Sequence, residues 1–423
     1  ALMEFAKAAS LLGSPGMAAP TPAVEETLRG LLEQRPAPRV PPARGAGPGP
    51  GVSRKHFREA LRRASRVSGP GPSGSRAAHW AVVLRSPAAL GSLARLADRV
   101  AAADLPEEAV VGLAAACLHP LKKKPDGVRP VGAGEALRRI VGRALLTAAA
   151  GTLAEGVGKH QLGAGLKGGG EKLAHAARAT AEARPRDCWV ALDLSNAFGT
   201  TLRDGALEAA TGVVPGYRAY LTMFLGRDTR YRSIRSSGEA VGLTTGEGAE
   251  QGDVWGPILY SLALAPCVAA LERDLRGLLE EAGWDPQAAI EAVGVNAYLD
   301  DLVIRVPPAL VAEVMPAADR ALRRMGGRRN PRKCHAWSPD TAEPAGLPEG
   351  FWKEEGLLLL GAPHGGGPDR GEDAPLPMGP SAVERHLTRT LASYRAFLTG
   401  LEQAVRDAPP KDARVQTALL LLR

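Results

Sequence analysis

Residues 293–306 read VGVNAYLDDLVIRV, two apolar runs joined by Leu-Asp-Asp. Runs this short and this rich in Val and Ile form strands, and the few residues between them allow only a tight turn. The segment therefore predicts an antiparallel hairpin with Asp300 and Asp301 at its tip. Two adjacent carboxylates repel each other and cost stability unless a divalent ion or a basic group sits against them. A solvated Asp-Asp turn is the plainer alternative, since Asp is frequent in turns.

Working outward, CWVALDL (188–194) is an apolar strand bounded by charge, and it ends on Asp193. A carboxylate at the end of a buried strand is desolvated unless it meets a cation, although capping the next turn is the bland reading. Taken together, Asp193, Asp300 and Asp301 would hold two Mg²⁺ for in-line displacement at phosphorus. Between these segments lies GEGAEQGDVWGPILYSLAL (246–264), a glycine-rich stretch opening into a long helix expected over 258–281. Its glycines allow backbone to approach a ligand, and Gln251 offers a donor and an acceptor beside it. Further upstream, LKKKPDGVRPV (121–131) reads as strand, Pro-Asp-Gly turn and strand, a cationic fork suited to phosphate. The alternative for its three lysines is a solvated charge run.

Helical patterns occupy 87–103, 105–117, 134–157, 170–184 and 308–325, and a short strand, GLLLLG, occupies 356–361. Strands separated by long helical insertions, with directly paired hairpin neighbours, give an α+β fold with a largely antiparallel sheet.

Charge is uneven along the 423 residues, whose formal net charge is +8. The stretch 34–76 holds ten Lys or Arg and one acidic residue, Glu59, while the rest of the chain is close to neutral. Rich in Pro and Gly, it reads as a linker around one short basic helix, lying on phosphates or merely solvated. Residues 1–33 read as a helical appendage in which Thr21 caps a helix begun by Pro22. The four cysteines are far apart, which excludes a Cys-x-x-Cys zinc module and points to a reducing compartment. No apolar run is long enough to span a membrane, and no signal-peptide pattern opens the chain, so a soluble protein of nucleus or cytoplasm is expected.

The order of an Asp-ended strand, Gln-Gly-Asp before a helix and Tyr-x-Asp-Asp in a hairpin resembles the palm of reverse transcriptases, most closely the non-LTR retrotransposon type. The resemblance runs from about Leu118 to Gly366. It implies right-hand polymerase fingers over 77–186, a palm with an antiparallel sheet over 187–366, and a partial helical thumb over 367–423. It implies RNA-templated DNA synthesis with two Mg²⁺, Mn²⁺ substituting, on an RNA template, a DNA primer and deoxynucleoside triphosphates. Asp193, Asp300 and Asp301, with the Leu194 carbonyl, would hold the ions, and Lys333 in GGRRNPRKCHAW would protonate the leaving pyrophosphate. Lys122, Lys124 and Arg129 would hold the triphosphate, Gln251 would position the nucleotide, and Phe198 would exclude a ribose 2′-hydroxyl. In GLLLLGAPHG, Leu360 and Gly361 would grip the primer end. The QLGAGLKGGGEKLAHAARA stretch is similar to the helix-leading segment such polymerases carry before the first Asp.

Departures from the family pattern are Glu250 beside Gln251 where two glutamines are usual, Val254-Trp255 for Pro-Leu, and Gly199 for Asn. Glu250 is thereby expected to add a negative charge near the template groove. Endonuclease, RNase H and zinc-knuckle parts have no counterpart, so the chain reads as a fragment or a decayed copy. The rival reading is a non-catalytic nucleic-acid binder built on the same groove.

Overall fold

A computed structural model describes residues 16–32, 35–38, 51–65, 68–123, 127–235, 237–360 and 362–364. The expected thumb, Lys124 and Gly361 lie outside the described residues.

The fold is α+β. One sheet contains β1 (Ala116–Lys123), β2 (Gly127–Gly134), β4 (Thr229–Ile234) and β5 (Ala240–Thr245), in the order β2-β1-β4-β5. Its pairs are antiparallel except for a short parallel contact of β1 with β4. The other sheet is antiparallel throughout: β3 (Cys188–Leu192), β6 (Gly294–Tyr298), β7 (Asp301–Val306) and β8 (His335–Trp337), in the order β6-β7-β3-β8. A third, two-stranded ribbon pairs β9 (Leu357–Leu359) with β10 (Ala362–His364).

β3 is central in its sheet and buried on both faces, which is why it reads as an unbroken apolar run. On one side, Val190, Leu192, Leu302 and Ile304 join the main core beneath the helix Gly256–Glu281. On the other, Trp189, Val303 and Trp337 meet Leu173 and Ala177 of the helix Gly169–Ala183, together with Leu357 and Leu359. The helix Pro22–Leu31, capped by Thr21 as expected, covers the first sheet by burying Leu28 against Ala116, Leu118, Tyr231 and Leu243.

The linker expectation is overturned over its described part. The helix Arg54–Arg63 buries Phe57, Ala60 and Leu61 in the main core while its arginines face solvent. Val52 N–H donates to Asp98 at 2.7 Å, and the Ser73 N–H and hydroxyl donate to the two Glu135 carboxylate oxygens, each at 2.7 Å. Gly71 lies so close to Glu135 that a Cβ would fall 2.8 Å from its Cα.

Two helical expectations also change. The segment 134–157 is two helices, Ala136–Ala148 and Ala150–Val157, bent by 76°. Helix Glu107–Ala114 is shorter than expected because the chain enters β1 at Ala116. Among the described residues no single helix is long and apolar enough to cross a membrane; the bent pair passes only as a pair, and its first helix is buried in the core.

Candidate active site

Antiparallel register brings the carboxylates together. Leu192 pairs with Leu302, so Asp193 leaves β3 opposite Asp301, the first residue of β7. Residues opposite each other in such a pair have Cα atoms about 4.5–5.5 Å apart and point to the same face. Tyr298 pairs with Asp301 to close the hairpin, with Leu299 and Asp300 at the tip. Leu299 has φ +54°, a left-handed conformation that a branched side chain rarely adopts.

The charges feel one another. Burial raises the Asp300 carboxyl above the ordinary range and Asp193 adds to the rise, while Arg129 and Lys123 oppose it. Asp301 retains contact with solvent, yet the surrounding protein, then Asp300 and Asp193, push it up to about 6, with Lys333 opposing. Lys333 closes a 3-10 turn over Pro331–Lys333 that sets its Nζ 3.9 Å from Asp193 Oδ1. That turn is docked by two backbone bonds, Asn330 N–H to Asp193 O at 2.8 Å and Ser195 N–H to Arg328 O at 2.8 Å. Neither bond uses the Leu194 carbonyl.

Arg129 sits across from Leu121 in the β1–β2 hairpin, and Lys123 shares that face of the sheet. Lys122 alternates to the opposite face. Lys123 with Arg129, not Lys122, is thus the pair that acts on Asp300.

Phe198 is half-buried and stacks on Tyr260, whose ring is fully buried in the long helix. The Tyr260 hydroxyl finds no hydrogen-bond partner among the described residues, and burial, Asp300 and Asp301 hold its pKa well above that of free tyrosine. Sequence reasoning passed over Tyr260, whose position in an apolar helix reads as plain core.

The loop of Gln251 is joined to β2 through Gly132 N–H donating to Gln251 O at 2.7 Å. Gly252 has φ +109°, and a Cβ there would fall 2.1 Å from Gly132 O, so this close approach demands glycine. Gln251 lines a small, open cleft with Pro130, Asn196, Gly199 and Gly248. Leu360 packs on the smaller core beside Gly170.

Glu250 borders the same cleft, but its charge is taken up inside the protein, with the side chain only 6% exposed. Its carboxylate meets Arg138 at 3.0 Å, and Asp253 meets the same guanidinium at 2.6 Å. Arg138 lies over the Phe224 ring, 4.3 Å from its centroid. Trp255 is likewise absorbed by the core, its indole N–H donating to Gly142 O at 3.2 Å.

Among the described residues, no three His, Cys, Asp or Glu side chains close into a ready-made ion cage. The donor set still fits Mg²⁺, which takes oxygen ligands. Burial and the neighbouring carboxylates hold Asp300 and Asp301 above the usual carboxylate range, and Lys333 lies 3.9 Å from Asp193. No protein-family model matches the chain, and no curated protein matches it.

Proposed function

We propose that this chain carries the fingers and palm of a reverse transcriptase of the non-LTR retrotransposon type, and that it extends a DNA primer on an RNA template. The observation that carries the reading is the meeting of Asp193 and the Asp300-Asp301 hairpin on one sheet, opposite Lys123 and Arg129 of the other. Acidic groups facing cations across the junction of two sheets match the needs of a reaction that handles a triphosphate.

Asp193 and Asp300 would hold two Mg²⁺ or Mn²⁺, with Asp301 and the Leu194 carbonyl completing the oxygen set. The ions supply Lewis-acid activation of the primer hydroxyl and neutralise developing phosphate charge. Arg129 and Lys123 hold the triphosphate of the incoming deoxynucleotide against the hairpin. Lys333, already turned toward Asp193, donates the proton to the departing pyrophosphate. Phe198, backed by Tyr260, presents its ring to the sugar, and Gln251 orients the base pair from the loop above. Leu360 borders the path of the primer end.

Primer extension on RNA and DNA templates, with Mg²⁺ or Mn²⁺, tests the proposal. Wild type should extend on RNA, and Asp300→Asn should abolish extension while leaving primer–template affinity unchanged, because phosphate binding rests on the cations. Binding by wild type without extension under any of these conditions would assign the groove to nucleic-acid binding alone.

A further inference from the structure

The tip of the carboxylate hairpin is held by a residue from a distant part of the chain. Residues 160–162 run along the free edge of β6: Ala297 N–H donates to His160 O, and Leu162 N–H to Ala297 O, each at 2.7 Å. This edge pairing carries the side chain of Gln161, which is only 5% exposed, to the turn. There Gln161 Oε1 accepts from Leu299 N–H at 2.7 Å and from Gly163 N–H at 2.8 Å, while its Nε2 donates to Leu299 O at 3.2 Å. Only one orientation of the amide satisfies all three bonds, since the oxygen faces two donors and the nitrogen one acceptor. Gly163 is part of the same fit, because a Cβ there would fall 2.6 Å from Leu299 N.

Leu299 is also the strained residue of the turn, at φ +54°. A two-residue turn has few conformations, and a change at its first residue re-aims the second and the start of the following strand. The clamp on both polar groups of Leu299 therefore determines where Asp300 and Asp301 point.

We infer that Gln161 is a positioning residue for the carboxylate hairpin: by clamping the Leu299 peptide in its left-handed conformation it sets the aim of Asp300 and Asp301 toward the metal ions. The role in metal binding rests on the polymerase reading above; the clamp itself does not. Gln161 touches no reacting atom, so its loss should act through geometry, as outer-shell supports of metal ligands do, at about 10–100-fold in metal affinity.

The test uses Gln161→Ala, Gln161→Glu and the double variant Gln161→Ala with Leu299→Gly. Amide exchange at residue 299 is read by hydrogen–deuterium exchange. Mn²⁺ affinity of the primer–template complex is read by electron paramagnetic resonance, and extension by kcat. In Gln161→Ala the Leu299 amide should lose its protection, and Mn²⁺ affinity and kcat should fall about 10-fold or more with primer–template affinity unchanged. Gln161→Glu keeps the accepting oxygen, so it should fold with Leu299 N–H still protected; it has no donor for Leu299 O, and kcat should fall. Glycine accepts positive φ without a clamp, so the double variant should recover much of the metal affinity. Leu299 exchange and Mn²⁺ affinity at wild-type level in Gln161→Ala would overturn the inference, as would a Gln161→Glu variant with unchanged kcat if Gln161→Ala does not fold. A wild type that neither binds Mn²⁺ nor extends would instead overturn the polymerase reading, and the exchange result would still decide the clamp.

Discussion

Phe198 and Tyr260 lie face to face, with ring centroids 4.7 Å apart and planes inclined by 16°. One face of Phe198 is therefore committed to the core, and the half-exposed remainder is what a nucleotide sugar would meet. Such a backed ring is a rigid obstacle, and steric overlap rejects a substrate without weakening the correct one. Phe198→Ala is expected to raise ribonucleotide incorporation strongly and to lower stability by about 2 kcal/mol, less than a fully buried Phe costs. Incorporation assays run beside thermal melting check this. A lowered melting temperature with unchanged sugar selectivity would leave Phe198 a core residue only.

Asp301 gives the folded protein a distinctive pH response. Its carboxyl is raised from 3.8 to about 6, first by the protein around it and then by Asp300 and Asp193. A group whose folded-state pKa is raised favours the fold while protonated, and that contribution is lost as pH climbs through the folded value. Without divalent ions, melting temperature should thus fall between about pH 4 and pH 6 more in wild type than in Asp301→Asn. Discounted for solvent contact, the difference at pH 7 should be about 1 kcal/mol in favour of the variant. Mg²⁺ should narrow the gap in melting scans, since an ion replaces the proton as the counter-charge. An identical pH profile for the two proteins would count against the clustered charge.

Phe57 has no exposed surface although it sits in the most basic stretch of the chain. Phe57→Ala is expected to cost about 3–5 kcal/mol in urea unfolding. Removing residues 34–76 would accordingly damage the body instead of trimming a tail. The contribution of the positive charge is better read from the exposed Lys55 and Arg58. Changing both to Gln should leave melting unaltered and lower the salt dependence of nucleic-acid binding by up to about two in slope, since each side chain can neutralise one phosphate. An unchanged slope would make this helix face a solvated surface.

Arg138 is enclosed by Glu250, Asp253 and the Phe224 ring. Replacing Arg138 by Met strands two buried carboxylates and should destabilise the protein by about 3–5 kcal/mol. Glu250→Gln keeps a hydrogen-bond acceptor for the guanidinium and leaves Asp253 as the counter-charge, so it should be tolerated within about 1 kcal/mol. Denaturant titration of the two variants distinguishes them. Equal losses would mean that Glu250 is needed as an ion and not merely as an acceptor.

The sequence by itself determined the elements whose causes are local. The hairpin around Asp300, the apolar strand leading to Asp193, the Thr21 cap and the antiparallel pairing of β1 with β2 are each encoded within a few residues, and each stands where its pattern puts it. The α+β class followed, because strand and helix periods differ. Tertiary structure alone decided what the elements press against. The Pro, Gly and Arg content of 34–76 masks the Phe57, Ala60, Leu61 stripe, which packs chiefly against the helix Ala136–Ala148, more than seventy residues on in the chain. Strand register, invisible in a run of three lysines, turned Lys123 toward Asp300 and Lys122 away. Glu250 found its cation 112 residues distant, and Leu299 its clamp 138 residues distant. Charge and hydrogen bonding act over a few ångströms of space, and only the folded chain brings such distant residues within that reach.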